Sequence, residues 1–128
     1  MDNTRPADIF DAQCPSRDLL DLVASKWAML VICTLKNGPV RTGCLRRAVS
    51  GISQKMLTHT LRELERNGII ERIDHRECPP RVEYRLTEMG RSLSHLMKDM
   101  ELWIVSHYDG IIKAQQSYRR SEKSRLVA

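Results

Sequence analysis

The sequence predicts a mainly α fold with a small β-wing, and three observations carry that expectation. From Ser53 to Gly68 runs one amphipathic helix with a start signal, a stop signal and two chemically different faces. Two short alternating segments, 69–74 and 82–87, follow it on either side of Pro79-Pro80, and a period of two marks half-buried strands. Beyond them Met89, Leu93, Leu96, Met100, Trp103 and His107 recur in alternating steps of four and three, the spacing of a helical seam.

Each element has its own signal. Residues 1–13 are expected to form a loose N-terminal arm. Ser16 begins a first helix through Leu19, Leu20, Leu22 and Val23. A second runs from about Lys26 to Lys36 and stops at the breaker cluster Asn37-Gly38-Pro39. Its β-branched content makes a buried strand the competing assignment, but Trp27, Leu30, Val31 and Leu35 fit helical spacing. Thr42 is expected to cap a short third helix carrying Leu45 and Val49, and Ser50-Gly51 supplies the turn into the fourth. There Ser53 is a suitable N-cap, because its hydroxyl accepts from an unpaired N–H of the first turn. Gly68 suits the left-handed residue that ends a helix. Thr87 is expected to cap the last helix, whose stripe is widened by Met97, Ile104 and Ile111.

The fourth helix has the chemistry to read nucleic acid. Leu57, Leu61 and Leu64 face inward, while Gln54, Lys55, Thr58, His59 and Arg62 present amide, hydroxyl and cationic groups with no acid among them. Gln54 and Thr58, near the helix start, suit base edges. Lys55 and Arg62 suit backbone phosphates, and His59 suits either. Together with the third helix it forms a helix-turn-helix; Arg76 and Arg81 bracket the following loop and suit backbone contacts at the wing. The expected architecture is thus a winged helix-turn-helix over 14–86, with N- and C-terminal dimerisation helices. The C-terminal one spans 87–114, its seam Met89, Leu93, Leu96, Met100, Trp103 and His107 pairing across a two-fold axis. Residues 115–128, polar and basic, are expected to be a disordered tail.

Composition bounds the function. A chain of 128 residues suits one domain and is small for an independent catalytic cleft. The net charge of +5 favours a polyanionic partner, and its distribution is more telling. Asp2, Asp8, Asp11, Asp18 and Asp21 make the N-terminal part acidic, whereas the basic excess lies between Arg41 and Arg85 and again near the end. The longest apolar run, 27–35, falls far below the ~20 residues of a membrane span, and no signal-peptide pattern is present, so a cytoplasmic location is expected. No Gly-rich phosphate loop, zinc-protease pair or nucleophile elbow occurs, so no enzyme and no cofactor are expected.

Here the residues resemble a known family. Gly51-Ile52-Ser53 with Lys55, Leu57-Thr58, Leu61, Leu64-Glu65, Gly68 and Ile70, then Pro79-Pro80-Arg81-Val82-Glu83-Tyr84, Leu86-Thr87 and Gly90, resemble the HxlR-type winged helix-turn-helix regulators. Cys14-Pro15 and Lys26-Trp27 match that pattern too, and the likeness spans roughly 14–107. It implies a small dimeric transcription factor acting on operator DNA, often one that responds to electrophiles or oxidants. Two positions depart from the pattern. Ser25 stands where the family usually has Gly, and Arg41-Thr42-Gly43-Cys44 stands where an Arg-Phe start is usual.

Cys14 is the regulatory candidate. It precedes Pro15 and the first helix, where the helix dipole favours a thiolate, and the resemblance points to the same redox-sensing role. Cys33 fits a core position, Cys44 has no assigned role, and oxidation of Cys78 on the wing would disturb DNA contact directly. A metal shared by His75 and Cys78, with Cys14 or Cys44, is the rival reading, but structural zinc sites usually show two close ligand pairs. The expected function is a sequence-specific DNA-binding repressor. The alternatives are a regulator with a noncovalent small-molecule inducer in its dimer interface and a winged-helix protein-interaction module that binds no DNA.

Overall fold

The computed structural model describes residues 6–127. In chain order these form α1 (Ser16–Val23), α2 (Lys26–Thr34), a 3-10 turn (Leu35–Asn37), β1 (Val40–Arg41), α3 (Thr42–Ala48), α4 (Gln54–Arg66), β2 (Ile70–Asp74), β3 (Val82–Leu86) and α5 (Glu88–Val127). The fold class is the expected one, helices with a small antiparallel wing, except that the sheet has three strands in the order β1-β3-β2. The third is β1, two residues long, pairing Val40 with Tyr84 and Arg41 with Glu83. Two residues are too few to show an alternation, so this strand exists only through its partner.

The core is where the helical and strand periodicities converge. Ala28, Val31 and Ile32 of α2 meet Leu45 of α3, Leu57, Leu61 and Leu64 of α4, and Ile70 and Leu86 of the wing, all buried. Each Val, Leu or Ile side chain removed from water there contributes about 1.5–3 kcal/mol. This gathers α4 by its leucines, with Thr60 buried beside them, and leaves the face of Gln54, Lys55 and Arg62 outward.

Several local expectations are met by hydrogen bonds. Ser53 caps α4 by accepting from the N–H of Met56 at 3.0 Å. Ser25, one of the two departures from the family pattern, has become the N-cap of α2, its hydroxyl facing the N–H of Ala28 at 3.5 Å. Thr87 caps α5 by accepting from the N–H of Gly90 at 3.1 Å, while its own hydroxyl donates to the Gly68 carbonyl at 2.6 Å. Gly90 is required where the start of α5 passes the residue leading into β2: a Cβ there would collide with the carbonyl oxygen of Ile69. Gly68 takes the left-handed conformation at φ 75°.

Other expectations are corrected. Thr42 is the first residue of α3 and not its cap; Arg41 holds the N-cap position, with no side-chain bond. The arm is tied down over the described residues 6–13. Asp8 and Asp11 accept from the N–H groups of Phe10 and Gln13, and Arg17 donates to the carbonyls of Ile9 and Phe10; residues 1–5 lie outside the description. The segment 115–127, expected as a disordered tail, continues α5. After Gly110 it contains no Gly or Pro to stop the helix, and Ala, Gln, Lys and Arg are good helix formers. Finally, contacts divide the chain after Met97, not at the start of the last helix. Met97 is buried in the core and Leu93 packs against it, so the first turns of α5 belong to the winged-helix unit.

The second unit, from Lys98 onward, is the rest of α5. Its apolar side chains are largely exposed, among them Met100, Leu102, Trp103, Ile104, Val105 and Tyr108. The Trp103 and His107 rings stack at 4.6 Å. Among the described residues no helix is long and apolar enough to cross a membrane.

Candidate nucleic-acid interface

With its leucines inward, α4 leaves Gln54, Lys55, His59 and Arg62 exposed and Thr58 half-buried. Gln54 and Thr58, one turn apart, are joined by a bond from the Gln54 amide to the Thr58 hydroxyl at 3.2 Å. The pair therefore presents a pre-oriented amide and hydroxyl, the groups that discriminate base edges. Neither Lys55 nor Arg62 has an ion-pair partner among the described residues, so both charges are available to phosphate. His59 is set to the side of this face, where Met56, Thr60 and Glu63 line a groove.

The wing is electrostatically different. Arg85 pairs with Glu71 across the strands at 3.0 Å, and Arg72 lies 3.8 Å from Asp74. Arg81 pairs with Glu77 at 3.1 Å and lies 3.7 Å from Glu83. Glu83 also approaches His75, at 3.1 Å, but neither the His75 Nε2 nor the Arg81 Nε has hydrogen-bond alignment with a partner. Proximity rather than a formed bond describes that corner. Among the wing cations so described, Arg76 alone has no carboxylate within ion-pair distance. It sits at the tip with φ 52°, its N–H bonded to Asp74 at 2.9 Å. Of the two arginines expected at the wing, one is open and one is held by carboxylates.

Sequence reasoning passed over Arg46 and Arg47, in the last turn of α3 and both exposed. In a helix-turn-helix the helix before the reading helix crosses the backbone, so two adjacent arginines there were the available signal. Arg47 also donates to the Cys44 sulfur at 3.3 Å.

Cys14 lies apart from these elements, half-buried just before α1. Its sulfur accepts from the Ser16 hydroxyl at 3.1 Å and from the Asp8 N–H at 3.4 Å. The Ser16 bond first, then the backbone donors, hold the thiol below its ordinary range, against burial and the Asp11 carboxylate. Donated hydrogen bonds stabilise the thiolate over the thiol. Among the described residues no group of three or more His, Cys, Asp or Glu side chains is placed to hold a metal.

A helix-turn-helix with a wing and an open reading face on which Lys55 and Arg62 stand unpaired defines a DNA-binding transcriptional regulator. The chain belongs to the HxlR-like helix-turn-helix family, which matches residues 22–111. It is 39% identical over 100 residues to the HTH-type transcriptional regulator YtfH of Escherichia coli K12, covering 78% of this chain and 79% of that one. The solved structure of the putative regulator ytfH from Salmonella typhimurium superposes with a TM-score of 0.82 at 34% identity, covering 87% of this chain and 99% of that one. The redox regulator HypR in its oxidised form superposes with a TM-score of 0.67 at 40% identity, over 73% and 96%. The relatives are transcriptional regulators, and the family's common work is DNA binding.

Proposed function

We propose that this regulator is a cytoplasmic, homodimeric repressor that releases its operator when Cys14 reacts with an oxidant or electrophile. The observation that carries the DNA half of this reading is the α4 face. Gln54 and Thr58 are bonded to each other there, beside the unpaired charges of Lys55 and Arg62. Ser53 sets the helix start, His59 flanks the face, and Arg76 supplies the open charge at the wing; Arg81 is the weaker contributor because Glu77 and Glu83 already hold it. Two such faces, one per protomer, would lie about one helical turn, ~10 bp, apart on a pseudo-palindromic site.

The dimer rests on the apolar, exposed side chains of α5. Met89, Leu96, Met100 and Trp103 are all exposed, with Leu96 at 65%, and His107 stacks on Trp103 to complete the stripe. Leu93 is shared with the core. Leaving such a stripe in water costs about 25 cal/mol for each Å² that a second copy would cover.

The sensing half rests on the hydrogen-bonded, thiolate-favouring environment of Cys14 and draws support from the likeness to a protein named as a redox regulator. The test is operator footprinting with purified protein across a salt series, with and without diamide, on the natural chain and Cys14→Ser. Steep salt dependence with a two-fold footprint is expected, together with diamide release in the natural chain and none in Cys14→Ser. A salt-independent association would remove the DNA reading, and release of the Cys14→Ser protein by diamide would remove the sensor.

A further inference from the structure

Beside the reading face lies a groove that the DNA reading does not use. It encloses about 560 Å³ between α1, α2 and α4, within the range of small-molecule sites. One wall is the face of α1 bearing Asp18, Asp21 and Leu22. The floor is Trp27, and the other wall is the flank of α4 formed by Met56, His59, Thr60 and Glu63. That flank repeats at three, four and seven residues, so it is one continuous strip of the helix that carries Gln54 and Thr58.

Two independent features of this groove point to a ligand. The first is Thr60, a polar residue only 4% exposed, which lines the groove. Its hydroxyl makes no hydrogen bond within the described residues and is not among the atoms sealed from solvent, so the polar end of this buried residue opens on the groove with no protein partner. The second is charge. Arg66 also lines the groove and is felt by Asp18, but its guanidinium is bonded to Glu63 at 2.8 Å. Asp18 and Asp21 make no ion pair among the described residues, so the lining keeps an excess of two carboxylates. In a chain of net charge +5 these carboxylates form a local negative site. The indole of Trp27 already accepts one cation, the Lys26 ammonium 4.5 Å from its ring centroid, as an aromatic face does.

We propose that this groove binds an organic cation, an amine or quaternary ammonium with an apolar body. Its charge is held by Asp18 and Asp21, its body lies on Trp27, Leu22 and Met56, and Thr60 supplies the polar contact. Because one wall is the flank of α4, occupancy biases the position of the reading helix, and by linkage operator DNA changes affinity for the cation by the same factor. The coupling to DNA rests on the proposed reading of α4; the binding itself does not. The site also differs from Cys14 in place and chemistry, so the two inputs are separable.

The test uses the full chain labelled with 5-fluorotryptophan, followed by fluorine NMR without DNA. The chain has two tryptophans, and Trp27→Phe assigns the resonances. Benzyltrimethylammonium is expected to shift the Trp27 signal saturably and leave Trp103 in place. Benzyl alcohol and phenylacetate, neutral and anionic counterparts, are expected to act at least tenfold more weakly. Asp18→Asn with Asp21→Asn should weaken the cation at least tenfold, and Thr60→Val severalfold, with unchanged thermal unfolding showing that the fold persists. Equal responses to all three compounds, or an undiminished response in the double Asn variant, would overturn the proposal. So would a Trp27 signal that moves with protein concentration and ignores the cation, which would assign the groove to a second copy. Saturable cation binding by a protein that binds no DNA would keep this site and remove the DNA reading; operator binding without any cation response would do the reverse.

Discussion

The reading helix and the wing carry charge in opposite ways. On α4, Lys55 and Arg62 stand without carboxylate partners. On the wing, Arg72, Arg81 and Arg85 each lie against a carboxylate of the same hairpin. A cation already paired gains less from a phosphate, because the existing pair must first be given up; an unpaired one gains the full attraction and counterion release. Number of arginines is therefore a poor guide to which element grips DNA. Of the wing's pairs, Arg85–Glu71 joins directly opposed residues of β2 and β3 and supports their register, as opposite charges across a ladder do, while Arg76 is left open at the tip.

The sharpest way to break this contrast is to reverse the α4 charges. Lys55→Glu combined with Arg62→Glu is expected to lower operator affinity by about 100-fold or more and to reduce the slope of log K against log salt by about two units for each protomer bound. Fluorescence anisotropy over a salt series measures both. An effect no larger than that of reversing Arg72 and Arg85 would erase the distinction between the two elements.

Next in size is a change of preference and not of grip. Gln54→Ala removes one of the bonded pair and should cost about 1–3 kcal/mol of discrimination at one operator position, with non-specific binding nearly unchanged. Selection from a randomised operator library checks it, and an unaltered consensus would move base reading elsewhere on the helix.

Within the wing the two arginines should separate. Arg76→Asn keeps a residue that tolerates the left-handed backbone and should reduce the salt slope by about one unit for each protomer bound. Arg81→Gln should reduce it by less, because its charge is already shared with Glu77 and Glu83. Equal losses would mean that the carboxylates release Arg81 on binding.

The smallest effect concerns the thiol and leaves DNA affinity alone. Ser16 is the leading cause of the lowered Cys14 pKa, so Ser16→Ala should raise it and slow alkylation at neutral pH, measured as iodoacetamide rate against pH with the other cysteines replaced by serine. The sign of the linkage follows from the depressed value. The thiolate's contribution to stability is present above the ordinary thiol range and is lost as pH falls through the lowered one. An alkylation profile that does not move in Ser16→Ala would assign the shift to the backbone donors.

Much of this molecule was legible in its residues because the signals are local. Ser53 and Gly68 fix the ends of α4 within one turn of the chain, and Leu57, Leu61 and Leu64 repeat at the period that buries one face. The open face of Gln54, Lys55, Thr58 and Arg62 follows from the same arithmetic, as does the hairpin around Pro79-Pro80. The tail was misjudged for a local reason too: its polarity suggested disorder, while its helix-forming residues and lack of a breaker after Gly110 extend α5.

Sequence alone therefore determined the first four helices, the wing hairpin, the faces of α4 and the class of partner, since periodicity and capping act over a few residues. Tertiary structure alone decided which charges are open. The pairing of Arg85 with Glu71 spans the hairpin, the strand at Val40–Arg41 exists only against β3, and Met97 draws the first turns of α5 into the winged-helix core. The groove beside α4 likewise joins Asp18 to Thr60 from distant parts of the chain. Ion pairing, strand pairing and burial depend on distance in space, and separation along the chain does not encode it.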